Sequence, residues 1–112
     1  MAKTISFKWD KDGREYTLAY TRDTAARIEN AGFRASEIED KMNVMLPLLW
    51  RGAFLANHGK TKEETIDEIF NSITDKEGLY KRLAEMYRET IETLFDEPEE
   101  GAKGNITWEA SW

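Results

Sequence analysis

The chain has 112 residues, 40% hydrophobic and 34% charged, with a net charge of −6, which suits one soluble domain with a modest core. Cysteine is absent, removing disulfides, thiolate nucleophiles and cysteine-based zinc sites together; no run of about eighteen apolar residues would cross a membrane, no signal-peptide pattern is present, and no cluster of Lys and Arg offers the phosphate neutralisation that nucleic-acid binding needs. A reducing cytoplasm fits, with no nucleic acid and no membrane as partner.

Ile5, Phe7 and Trp9 alternate with Ser6, Lys8 and Asp10, and Tyr16, Leu18 and Tyr20 alternate with Thr17 and Ala19. This period of two, interrupted by Asp12-Gly13, predicts a β-hairpin over residues 3–20. Asp-Gly favours a two-residue loop with both φ angles positive. That loop sets Lys11 opposite Arg14, Trp9 opposite Tyr16, Phe7 opposite Leu18 and Ile5 opposite Tyr20, so each bulky apolar residue has a bulky partner. A four-residue loop over residues 10–13 keeps the same face but puts Trp9 against Arg14, and the first register is preferred. A calcium loop does not fit: aligning Gly13 with the invariant glycine leaves Lys8 and Ala19 at ligand positions. A lone hairpin is marginal, so its apolar face must lie on helices.

Helices are expected over about residues 23–31, 37–43, 44–58, 62–74 and 76–95. Thr21 or Asp23 caps the first, and Gly32 stops it. Ser36 and Glu39 form a capping box for the second, as Thr61 and Glu64 do for the fourth. Pro47 lacks an N–H and predicts a break or kink before the third, which Gly59 ends. Asp75 caps the last, whose apolar stripe runs Leu79, Leu83, Met86, Tyr87, Ile91, Leu94 and Phe95. The fold class is α+β: a hairpin packed on a bundle of four to five helices, residues 1–95, followed by an acidic tail.

The third helix is apolar on nearly all sides. Such a helix is either the centre of the core or has a second face for a partner. If a partner meets it, two stripes qualify: Trp50 with Phe54, or Met45 with Leu48 and Leu55. The alternative is that both stripes are core.

Residues 96–112 carry Lys103 against Asp96, Glu97, Glu99, Glu100 and Glu109, a net −4. Up to Gly104 they read as an acidic linker. Ile106, Trp108, Ala110 and Trp112 then fall on one parity and Asn105, Thr107, Glu109 and Ser111 on the other, which is strand periodicity. Two tryptophans on such a tail suggest docking, in cis or in trans, against the alternative of a frayed end. One form of docking adds Ile106, Trp108 and Trp112 as a strand to a sheet edge of a neighbouring copy, making a homo-oligomer.

Chemistry-bearing motifs are nearly absent. His58, the only histidine, falls at a helix C-terminus, where an imidazolium would favour the helix dipole, and no nucleophile or orienting carboxylate motif accompanies it. No two-His metal spacing and no phosphate-binding or nucleophile-elbow motif occurs. The expectation is no catalytic residue, no metal, no cofactor and no enzyme activity.

The N-terminal hairpin, Leu48-Leu49-Trp50-Arg51-Gly52-Ala53-Phe54-Leu55-Ala56-Asn57-His58, the following Thr61-x-x-Glu64 helix and the closing Trp108-Glu-Ala-Ser-Trp112 occur in this order. In that order the chain resembles the small tail assembly chaperones of long-tailed, siphovirus-type bacteriophages and prophages. The resemblance covers most of the chain, and its motifs are structural rather than chemical. It implies a non-structural factor of the host bacterial cytoplasm that coats the tape measure protein, keeps it soluble and helps tail tube protein polymerise around it. It also implies that this chain is the short form of a pair whose longer form arises by frameshifting. Two other readings stand beside it: an acidic regulatory protein that mimics nucleic acid to inhibit a host protein, and a structural tail-completion component.

Overall fold

The computed structural model describes residues 3–95 and 107–112. The fold is α+β, as expected. Strands β1 (Ile5–Trp9) and β2 (Arg14–Leu18) form an antiparallel hairpin. Helices α1 (Arg22–Asn30), α2 (Met42–Leu55), α3 (Glu63–Ser72) and α4 (Lys76–Glu92) follow, with 3-10 turns at Ala35–Glu37 and Thr93–Phe95.

The hairpin keeps the expected face but not the preferred register. Trp9 pairs with Arg14, Phe7 with Tyr16 and Ile5 with Leu18, the arrangement of the four-residue loop. Of the two loop residues Asp12 and Gly13, only Gly13 takes a positive φ, +69°, so the turn that Asp-Gly favours does not form. The Asp12 carboxylate holds the loop instead: Oδ1 accepts from the Arg14 N–H at 2.9 Å and Oδ2 from the Tyr16 hydroxyl at 2.5 Å. Satisfying two donors at once outweighs the pairing of Trp9 with Tyr16.

Helix α1 starts and stops where expected. Thr21 is the N-cap, exchanging hydrogen bonds with Thr24, and Gly32 follows with φ +112°, a conformation that costs glycine least. The expected helix over residues 37–43 shrinks to the 3-10 turn, and neither Ser36 nor Glu39 makes a cap. Residues 38–41 are turn and bend, and Met42 and Asn43 join α2 instead.

The expected break before the third helix is present at residues 38–41, but Pro47 does not cause it: α2 begins at Met42 and runs through Pro47. The carbonyl that loses its partner belongs to Asn43, an exposed residue, so solvent can reach it. Helix α3 begins one residue later than expected, with Lys62 as N-cap. Thr61 and Glu64 therefore miss the spacing of a capping box, and Glu63 and Glu64 face the N-terminal dipole instead. Asp75 caps α4 as expected, accepting from the Gly78 N–H at 3.1 Å. A Cβ on Gly78 would stand 2.3 Å from Asp75 Oδ2, so this cap and this glycine belong together.

Helix α2 is the centre of the molecule and touches α1, α3, α4 and β2. Gly52 lets it approach α1: a Cβ there would lie 2.7 Å from Ile28 Cγ2. Trp50, fully buried, donates from Nε1 to the Ile66 carbonyl at 2.9 Å, and Arg51 forks onto Asp67 at 3.1 and 2.8 Å, tying α2 to α3. An aromatic chain of Tyr16, Phe7, Trp50, Phe54 and Phe70, with ring centroids 5.2–6.3 Å apart, joins hairpin to helices.

Candidate protein-binding groove

The two rows of the hairpin's apolar face are covered unequally. Tyr16 and Leu18 of β2, and Tyr20 just after it, are buried, whereas Ile5, Phe7 and Trp9 of β1 are only partly so. The space beside them is a groove of about 800 Å³. Its floor is Ile5, Phe7 and Trp9 from β1, Ile69 and Ile73 from the end of α3, and Leu79 from the first turn of α4. Lys8, Lys11 and Arg82 stand around its mouth with Asp10 and Asp75. A hollow of about 450 Å³ shares Ile5 and Arg82 with it, so the depression follows β1 from Lys3 to Lys11.

Ion pairs hold both ends of β1 across this depression. Lys3 reaches Glu85 at 3.0 Å and Glu89 at 3.2 Å on α4, and Lys11 reaches Glu68 on α3. Hydrogen bonds from Lys3 push the Glu85 carboxyl below its ordinary range, and the same contacts raise the Lys3 ammonium. These pairs are exposed, so each is worth little as stability, and they join β1 to α4 and α3 on either side of the groove.

The two edges of the hairpin differ. The outer edge of β2 is closed by the end of α2 and the residues after it. The Thr17 N–H donates to His58 Nε2 at 3.1 Å, the Thr17 carbonyl accepts from Asn57 Nδ2 at 3.2 Å, and the Ala19 N–H donates to the Ala53 carbonyl at 3.0 Å. Because Thr17 turns its backbone groups outward, its partner Ser6 does the same on β1, and so, two residues on, does Lys8. Among the described residues those groups of Ser6 and Lys8 have no backbone partner beyond the sheet. The open edge of β1 borders the groove.

His58 has a different role from the expected imidazolium at a helix end. It packs against Tyr16 and Phe54 at 5.0 and 5.3 Å between ring centroids. Accepting at Nε2 requires a lone pair there, so the neutral ring carries its proton on Nδ1. Burial lowers its pKa below the ordinary 6.5, and nearby Arg14 lowers it further.

The sequence-derived partner residues separate into three groups. Met45, Trp50 and Phe54 are buried in the core, the second of the two readings that the sequence allowed for them. Leu48 and Leu55 are partly buried against that core. Trp108 and Trp112 are exposed, by 82% and 100%, and Ile106 lies outside the described residues. Residues 107–112 have no regular secondary structure. The groove residues themselves were not singled out from the sequence. The available signal was that six bulky residues on one hairpin face are more than one central helix can cover.

Among the described residues no three His, Cys, Asp or Glu side chains gather to hold a metal ion, and no helix is long and apolar enough to cross a membrane. The whole chain, residues 1–112, matches the family described as "Domain of unknown function (DUF5055)". The chain belongs to this family. No curated protein and no solved structure matches the chain significantly, so this member's groove must be read from its own residues.

Proposed function

We propose that this chain is a non-catalytic tail assembly chaperone of the bacterial cytoplasm. In this reading it holds apolar segments of a tape measure protein and delivers that protein to tail tube subunits. The observation that carries the reading is the groove: an apolar floor drawn from three elements and open to solvent. A tape measure protein presents long apolar helical stripes, and a groove of this kind takes such a stripe by anchors at helical spacing. The resemblance of the α2 region and the closing Trp-x-x-x-Trp to tail assembly chaperones supports the same reading.

Co-expression with a helix-rich tape measure fragment tests it. The fragment should stay soluble and elute with this chain in size-exclusion chromatography. Leu79→Asp, at a partly buried position in the groove, should leave the chain folded and return the fragment to the pellet. If the fragment is equally soluble with the parent and with Leu79→Asp, the groove is not its site. If the parent leaves it insoluble, the chaperone reading itself fails.

A further inference from the structure

We infer that the groove also takes residues 107–112 of a second copy of this chain, added as a third strand on the open edge of β1. The inference rests on the reading of the groove as a protein-binding site and names one occupant for it.

The edge supplies the backbone chemistry. Ser6 and Lys8 turn their N–H and C=O groups away from β2, toward the groove, and an extended segment laid along them would exchange hydrogen bonds at every second residue. The corresponding edge of β2 is taken by Ala53, Asn57 and His58, so β1 is where a strand can add.

The segment supplies the side chains. Trp108, Ala110 and Trp112 alternate with Thr107, Glu109 and Ser111. As a third strand, the first set would share the face of Ile5, Phe7 and Trp9 and lie over Ile73 and Leu79, while the polar set would face water. Large aromatic side chains are rarely left bare on a soluble surface, yet Trp108 and Trp112 are nearly or wholly exposed. That exposure also says which copy is involved: in a single chain the segment does not occupy its own groove.

Mixing two complementary full-length variants tests the inference without any client. One carries Trp108→Ser and Trp112→Ser, disabling the segment and leaving the groove. The other carries Ser6→Pro, which removes an outward N–H from the open edge and spares the bonds to β2. Leu79→Arg is a second way to block the groove should the proline variant fail to fold. Each variant alone should be monomeric by light scattering, and the mixture should form a one-to-one complex. Adding Trp108→Ser to the groove-blocked chain should weaken the complex by more than about tenfold. No complex between two folded variants overturns the inference, and so does a parent chain that is monomeric at every concentration with its terminal tryptophans shielded in cis. The chaperone reading is untouched by either result, since client solubility is measured separately.

Discussion

Protonating His58 breaks the bond that its Nε2 accepts from the Thr17 N–H, because an imidazolium has no lone pair to offer. The folded chain therefore holds this ring neutral, and its pKa sits below the ordinary 6.5. The unfolded chain binds the proton first as pH falls, so stability is full above about pH 6.5 and declines as pH drops toward the folded value. Asp12 and Glu85, whose carboxyls are lowered by Tyr16 and Lys3 respectively, lose their contribution only at more acid pH. His58→Ala should cost about 1 kcal/mol at pH 7.5 and flatten the slope of urea midpoint against pH just below 6.5; an unchanged slope would show that His58 titrates alike in both states. Asp75 is a second single residue with a local task. Its side chain caps α4 from a left-handed backbone, φ 53°, so Asp75→Ala removes the cap and keeps the strain. A loss of about 1–2 kcal/mol is expected in chemical denaturation, with Asp75→Gly losing less.

At the scale of elements, α2 turned from a possible partner surface into the centre of the core. Trp50 is buried among Phe7, Phe54 and Phe70, and Trp50→Ala should cost about 3–5 kcal/mol. Circular dichroism and thermal melts should show a destabilised fold, and a variant that stays as stable as the parent would contradict the packing. Hydropathy made this helix legible, since apolar residues on all sides permit a central helix. It did not say whether the outermost stripe was covered, because cover depends on how α1, α3 and α4 close around it. The hairpin was legible for the same reason: its alternation belongs to one strand at a time. Its register was not, because the deciding group was the Asp12 side chain, which bonds both a backbone N–H and the Tyr16 hydroxyl. The boxes at Ser36 and Thr61 did not form. The residues after Ser36 turn, and their last two join α2, while α3 starts one residue too late for Thr61 to reach.

At the scale of the molecule, the groove arises because α2 covers the β2 row while β1 leans over the α3–α4 corner, held at its ends by Lys3 and Lys11. No single segment of sequence contains this feature. Ile5, Phe7 and Trp9 were legible as an apolar face, and Ile69, Ile73 and Leu79 as residues at helical spacing, but the space between them is a property of their separation. The two predictions that belong to this scale act on different partners. Leu79→Asp should abolish client solubility in co-expression, and the mixed-variant experiment should report chain-to-chain pairing in the client's absence. A client fragment that competes with the terminal segment would unite the two.

The closed outer edge of β2 has a consequence for how this hairpin can go wrong. Two-stranded sheets with both edges bare can stack without limit, each new hairpin extending the last, as in fibrils. Here, if two molecules met β1 to β1, the joined sheet would have four strands, and each outermost strand would be a β2 whose backbone is already bonded to Ala53, Asn57 and His58. Growth would end there. The helix end that steadies the hairpin thus also terminates any sheet the hairpin could begin.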